Sequence, residues 1–310
     1  MLKLLIVHER APEYARLIRE ELPGIQIVAA RDKAEIPPSL DDVGVILAWR
    51  FPKEILRAAT GVRWVASTGA GVDHLLVSEL SEDVVITKAP PIFGRLITEY
   101  VLGYVLSVSL RVEEIVSNRA KRLWVVPQRA EVAGKLMGIL GMGTIGTRVA
   151  KAARALDMRV WGMRRTAVPC DEAERVFGRD ELSSFLPELD FLVMTLPLTP
   201  ETRNLIGAPE LSLLRPTCWI VNVGRGRIVN EESLVHALEA GQLGGYVSDV
   251  FSTEPLPADS ALWTLPNSIV TPHYGALTKP DEFVPHFAEN VRRFLAGRPL
   301  LFQVDRRKGY

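Results

Sequence analysis

Three polar residues in the last third of the chain stand in apolar, strand-like surroundings. They are Arg225 in V-N-V-G-R-G, Glu254 in D-V-F-S-T-E-P-L-P and His273 in V-T-P-H-Y-G. A glycine-flanked arginine at a strand end is placed to grip a carboxylate with two parallel hydrogen bonds. A histidine exchanges protons near neutral pH, and a carboxylate such as Glu254 can accept a bond from the imidazole and favour its protonated form. Together they suit a small acid whose reacting centre gains or loses a proton. The remaining histidines, His8, His74, His236 and His286, lack a comparable setting.

Upstream, an apolar run is followed by Gly141-Met-Gly143-Thr144-Ile145-Gly146, a G-x-G-x-x-G spacing that leads into the helical pattern Thr144–Leu156. The first glycine permits a tight turn, the second lets a pyrophosphate approach the backbone, and the third lets the helix pack close to its strand. The positive end of the helix dipole favours the phosphate charge. A dinucleotide there would supply a hydride, so the expected reaction is a redox step on a 2-keto or 2-hydroxy acid. At the end of the next strand an NAD site would carry an acid. Here Arg164-Arg165-Thr166 occupies that slot, and a guanidinium would pair with a 2′-phosphate. NADP(H) is therefore preferred, with NAD(H) still possible; the alternative is an arginine pair that only decorates a loop.

These residues need strands to hold them. Leu2–Val7, Ile25–Ala29, Val43–Ala48, Trp64–Ser67 and Val84–Thr87 read as strands, alternating with helical patterns such as Ala11–Glu21 and Pro52–Ala59. A long helical pattern, Thr98–Leu123, precedes a second series at Leu136–Leu140, Arg159–Met163, Phe191–Met194, Trp219–Val223, Gly245–Asp249 and Ser268–Thr271. A last helix is expected at Glu282–Ala296 with Pro280 at its head, and the tail is expected to pack on the N-terminal domain. This βαβ rhythm predicts an α/β protein with two doubly wound parallel-sheet domains. Residues 1–98 plus 282–310 would form a substrate domain, and 99–281 a dinucleotide-binding domain.

The 310 residues, 47% hydrophobic and 24% charged, suit two globular domains. The 37 basic and 37 acidic residues cancel, which argues against a nucleic-acid or anionic-membrane surface. Lys121-Arg122 and Arg306-Arg307-Lys308 are expected to be solvated charges. The apolar stretch near Val101–Val116 is broken by charges, so no membrane span is expected. Cys170 and Cys218 are too few for a disulfide framework or a cysteine-rich zinc site, so no metal is expected, and a reduced, cytoplasmic protein is the default.

Further motifs accompany these: Ser67-Thr68-Gly69-Ala70-Gly71-Val-Asp-His, Leu196-Pro197-Leu-Thr-Pro-Glu-Thr202-Arg, and Asp249 at the head of its strand-end motif. With the glycine motif, V-N-V-G-R-G and T-P-H, the chain resembles the D-isomer-specific 2-hydroxyacid dehydrogenase family along nearly its whole length. The resemblance implies a Rossmann cofactor domain inserted in a flavodoxin-like substrate domain, a cleft between them, and a homodimer paired through the cofactor domain. It implies that Arg225 orients the substrate carboxylate, that His273 moves the proton and that Glu254 holds the histidine. Asp249 would lie by the nicotinamide carboxamide, with Leu196, Pro197, Thr202, Val223, Gly224 and Gly275 also along the cofactor. Backbone N–H groups of Thr68, Gly69, Ala70 and Gly71 would bind the carboxylate. The basic slot and the ending V-D-R-R-K-G-Y resemble the family's NADP-using glyoxylate and hydroxypyruvate reductases. Glutamate rather than glutamine at 254 argues against formate dehydrogenase, and the length is expected to exclude the regulatory domain of longer phosphoglycerate dehydrogenases.

Arg50, beside Trp49 after a strand, could select a polar substrate tail with Trp49 as a wall, or could be a surface arginine beside a buried aromatic. Arg95 and Trp124 are weaker candidates of the same kind. Two rival readings remain: an NAD-dependent dehydrogenase of larger acids, and a nucleotide-sensing protein like the corepressors that share this fold.

Overall fold

Short runs of β-branched and aliphatic residues form parallel strands in both halves of the chain. The computed structural model describes residues 2–50 and 54–310. In the first part are β1 (Lys3–Val7), α1 (Ala11–Glu21), β2 (Gln26–Ala30), β3 (Val45–Ala48), α2 (Glu54–Ala58), β4 (Trp64–Ser67) and β5 (Val85–Thr87). The strands pair in the order β2-β1-β3-β4-β5, every pairing parallel. β3 and β4 are buried at every position, which is why they read as continuous apolar runs rather than alternating ones. Helix α1 starts with a proline in its first turn and turns Ala11, Tyr14, Ala15 and Ile18 inward, the spacing of one helical face. The expected start of α2, at Pro52, lies outside the described residues.

The second series begins with α3 (Gly94–Ser109) and α4 (Val112–Ala120). The sequence predicts one helix over this stretch; the structure breaks it at Arg111, whose φ of 58° is left-handed. Ser109 Oγ donates back to the Val105 carbonyl as α3 ends, and Glu113 and Glu114 occupy the first turn of a new helix. Carboxylates there complement the dipole of a fresh N-terminus. Next come β6 (Leu136–Leu140), α5 (Thr144–Arg154), β7 (Arg159–Met163), β8 (Arg175–Phe177), α6 (Leu182–Phe185), β9 (Phe191–Met194), α7 (Ala208–Leu213), β10 (Trp219–Asn222), α8 (Glu231–Glu239), β11 (Gly245–Ser248) and β12 (Ser268–Val270). Their order is β12-β11-β10-β9-β6-β7-β8, again all parallel. Successive strands run outward from β6 in both directions, the doubly wound Rossmann arrangement.

The chain then forms α9 (Pro280–Leu295) and a tail that bonds to β5: Val304 N–H donates to Ile86 O and Lys88 N–H to Phe302 O. Asn290, buried on α9, clasps Leu301 through both its amide groups. Arg306 donates to the carbonyls of Leu80 and Val84, so it anchors the tail and is not simply a solvated charge.

Contacts divide the chain into Met1–Ile92 with Leu277–Tyr310, and Phe93–Ala276. The sequence-based borders, after 98 and after 281, would each cut a helix, α3 or α9, near its start. The first unit centres on Trp64, stacked on Phe287 and donating from Nε1 to Thr87 Oγ1. The second holds Phe177 between Trp161 and Phe185. Each such buried aromatic or aliphatic side chain stabilises by about 1.5–3 kcal/mol relative to exposure.

Candidate active site

In a parallel sheet the functional groups collect beyond the carboxyl ends of the strands, where helices and turns leave backbone groups to be used. The second unit follows this rule. Arg225 comes just after β10, Asp249 just after β11, and Glu254 and His273 on the loops after β11 and β12.

The structure brings Glu254 and His273 together, with His273 Nδ1 2.9 Å from Glu254 Oε2. The other oxygen, Oε1, accepts the Phe251 N–H at 3.1 Å. A carboxylate held by a backbone donor can only accept, which assigns the proton to Nδ1 and makes Nε2 the nitrogen that exchanges a proton. His273 has a φ of 52°. That left-handed conformation is unfavourable for a residue with a side chain, so the loop around it must be firmly held.

Arg225 is half-buried, and its Nη1 donates to its neighbour's carbonyl, Gly224 O, at 2.8 Å. Asn222, fully buried, organises that turn: its Oδ1 accepts Gly224 N–H while its Nδ2 donates to Arg225 O and to the Tyr246 hydroxyl. Burial pushes the Tyr246 hydroxyl up to about 12, so it keeps its proton. At Gly226 a Cβ would lie 1.9 Å from the Phe251 carbonyl carbon. Only glycine lets the arginine turn press on the backbone that also positions Glu254.

Asp249 is buried, and both its oxygens are engaged. Oδ1 accepts from Thr271 Oγ1 at 2.7 Å and Tyr274 N at 2.9 Å, and Oδ2 accepts from Gly275 N at 2.9 Å. Its observed work is thus on the His273 loop.

The dinucleotide motif forms a turn between β6 and α5. Gly141 has a φ of +107°, and a Cβ on Gly146 would sit 2.2 Å from the Gly141 carbonyl oxygen. Gly143 is exposed at the N-cap of α5, no side chain caps that helix, and a Cβ there would meet nothing within 4 Å. Thr144 is exposed, Ile145 half-buried and Gly146 buried. An uncapped helix start with room above its middle glycine fits a pyrophosphate. Arg164, half-buried after β7, donates from Nε to Met142 O at 2.9 Å, so its guanidinium lies against this same turn. Arg165 and Thr166 are exposed. Such cations fit a further phosphate. Leu196 and Pro197 follow β9, where Thr202 Oγ1 donates to Pro197 O at 2.7 Å and accepts from Thr199 N at 2.8 Å. That hydroxyl shapes its own loop. Val223 N–H is bonded to Met194 O, between β10 and β9.

In the first unit, the loop after β4 carries Thr68–Gly71. Thr68 N–H donates to Ala48 O and Gly69 N–H to Ser67 Oγ, so these two donors serve the fold. Ala70 is exposed and Gly71 half-buried, and their N–H groups are not used among the described residues. The expectation that the whole run binds a carboxylate narrows to these two. Trp49, half-buried after β3, lies against Gly69, where a Cβ would fall 1.7 Å from its ring. Arg50 is exposed with its guanidinium 6.0 Å from the Trp49 ring centroid. His74, set aside by the sequence reading, packs edge-on to Trp49 and bonds its carbonyl through Nε2. Sequence reasoning also missed Asn222, Thr271 and Tyr100. The first two lie inside quoted motifs, a signal that could have been used.

The pattern of a D-isomer specific 2-hydroxyacid dehydrogenase NAD binding domain matches residues 102–275. A glyoxylate/hydroxypyruvate reductase A of Escherichia fergusonii is 33% identical over 279 residues, covering 87% of this chain and 88% of that protein. The crystal structure of a D-isomer specific 2-hydroxyacid dehydrogenase family protein from Aeromonas salmonicida superposes with a TM-score of 0.92 at 34% identity, covering 98% of this chain and 99% of that one. An NADPH-dependent glyoxylate/hydroxypyruvate reductase from Sinorhizobium meliloti, solved with NADP and sulfate, gives 0.90 at 28% identity over the full length of both. With a matched domain that spans more than half of its residues, the chain belongs to the D-isomer specific 2-hydroxyacid dehydrogenase family.

Proposed function

We propose that the protein uses NADPH to reduce glyoxylate, hydroxypyruvate or a related small 2-keto acid to the D-2-hydroxy acid. The observation that carries this reading is the imidazole of His273 fixed by Glu254 at 2.9 Å on the loops beside the Arg225 turn. Arg225 binds the substrate carboxylate with its planar fork and draws electron density from the neighbouring carbonyl. In the first unit, Ala70 and Gly71 carry backbone N–H donors of the kind that suit a carboxylate. His273 gives its Nε2 proton to the carbonyl oxygen, and Glu254 fixes the ring through Nδ1. NADPH, when bound, supplies the hydride.

The cofactor reading rests on the uncapped start of α5 for the pyrophosphate and on Arg164, Arg165 and Thr166 for the 2′-phosphate. The NADP-bound relative from Sinorhizobium meliloti supports it. The proposal includes a homodimer working in the cytoplasm, where Cys170 and Cys218 stay reduced. Among the described residues no helix is long and apolar enough to cross a membrane.

Absorbance at the nicotinamide wavelength, followed with a panel of 2-keto acids and either NADPH or NADH, tests the reading. Fastest oxidation of NADPH with glyoxylate or hydroxypyruvate is expected. Preference for NADH with bulkier acids would replace it with the NAD-dependent alternative, and no oxidation of either cofactor would remove the reductase reading.

A further inference from the structure

Behind the His273 loop lies a chain of hydrogen bonds that starts outside every quoted motif, at Tyr100. Tyr100, on α3, places its hydroxyl 2.7 Å from Thr271 Oγ1, across 171 positions of sequence. Thr271 Oγ1 lies 2.7 Å from Asp249 Oδ1 and 3.2 Å from Ser248 O. All three side chains are buried, at 7%, 6% and 3% exposure. Asp249 then grips the N–H groups of Tyr274 and Gly275, the two residues that follow His273.

The direction of these bonds follows from what each group can give. Burial pushes the Tyr100 hydroxyl far above its ordinary pKa, so it stays protonated and acts as a donor. Thr271 has a single hydroxyl proton and two acceptors within reach. A donor from Tyr100 occupies one side of that oxygen and leaves its proton for the closer acceptor, Asp249. Hydrogen bonds in such a series strengthen one another. Asp249 thus receives donors from Thr271, before His273, and from Tyr274 and Gly275, after it, and His273 between them is held at a φ of 52°. Gly275 fits because a Cβ there would meet Asp249 Oδ2 at 2.9 Å and the Tyr100 ring at 3.0 Å.

We propose that Tyr100 and Thr271 are positioning residues for the reaction, acting in series through Asp249 to hold the His273 loop in its left-handed turn. Neither touches the reacting atoms in this account; their effect is on where the imidazole points. The proposal rests on the dehydrogenase reading, because it takes His273 as the proton carrier.

The test compares the full-length wild type with Tyr100→Phe, Thr271→Val, their double variant and Thr271→Ser. Tyr100→Phe removes one oxygen and keeps the ring that packs on Tyr104 and Tyr274. The expected result is a kcat about 3- to 10-fold lower for Tyr100→Phe and at least as low for Thr271→Val, with NADPH affinity nearly unchanged. The double variant should be no worse than Thr271→Val, the sign of groups acting in series. Thr271→Ser, which keeps the hydroxyl, should restore turnover to within about twofold of wild type. Amide hydrogen exchange over His273–Gly275 should speed up in the two single variants and not in Thr271→Ser. Unchanged turnover and exchange in Tyr100→Phe, losses that multiply in the double variant, or a Thr271→Ser as poor as Thr271→Val would each overturn the relay. A wild type inactive on every 2-keto acid would instead overturn the dehydrogenase reading, and the exchange comparison would still decide the relay.

Discussion

Two glycine-bearing loops, Gly141–Gly146 and Thr68–Gly71, both follow a parallel strand, yet they are built differently. The first runs directly into an eleven-residue helix with no side-chain cap, and its middle glycine faces open space. The second runs into a single turn of 3-10 helix at Asp73–Leu75, spends two of its N–H groups on Ala48 O and Ser67 Oγ, and lies against the Trp49 ring. A pyrophosphate needs a helix N-terminus with a dipole and several N–H groups. A carboxylate needs only two donors set close together. The spacing and the element that follows both separate the two loops.

Substitutions at the tightest points of each loop separate their roles. Gly146→Val puts a branched side chain where a Cβ already falls 2.2 Å from backbone oxygen. Titration with NADPH should show binding weakened by more than about 100-fold, with about 1–3 kcal/mol of stability lost in denaturant unfolding. Binding at wild-type strength would mean that this loop does not hold the cofactor. Next in size, Ala at both Arg164 and Arg165 should weaken NADPH about 10- to 100-fold and leave NADH nearly untouched, since charge-assisted bonds to one phosphate would be lost. Equal loss for both cofactors would show that Arg164 serves the turn through Met142 rather than the phosphate. Gly69→Ala should displace Trp49 and raise the KM for the keto acid about tenfold, without changing NADPH affinity. An NADPH affinity that moved instead would blur the distinction between the loops.

The smallest effect separates the two units by pH. Burial lowers the His8 pKa in the first unit, and its Nδ1 accepts the Arg10 N–H at 2.9 Å, which requires the neutral ring. A depressed folded-state value gives stability that is present above the ordinary 6.5 and is lost as pH falls through the lowered value. Melting curves at about pH 7.5 and about pH 5 should therefore show a shallower acid loss for His8→Phe than for wild type. Identical slopes would assign the acid sensitivity elsewhere.

Much of the fold was legible because fully buried parallel strands are continuous apolar runs: β4, β6 and β9 begin and end where the residues say. β8 was missed since three residues at a sheet edge, one of them Arg175, carry little pattern. The break between α3 and α4 was missed because no glycine or proline marks it; a left-handed Arg111 makes it. In the site, Arg225, Glu254 and His273 stood out as isolated polar residues at strand ends. What holds them did not, because Tyr100 meets Thr271 only through the folded topology. The prior commitment of the Thr68 and Gly69 N–H groups was likewise invisible, since their partners are a carbonyl on β3 and a local serine hydroxyl.

In the proposed reaction His273, held by Glu254, carries the proton. Turnover of NADPH with the best 2-keto acid, measured beside NADPH affinity for wild type and His273→Ala, tests it most directly. A kcat about 100- to 10,000-fold lower is expected, with cofactor affinity essentially unchanged. Turnover that survives the substitution would contradict it.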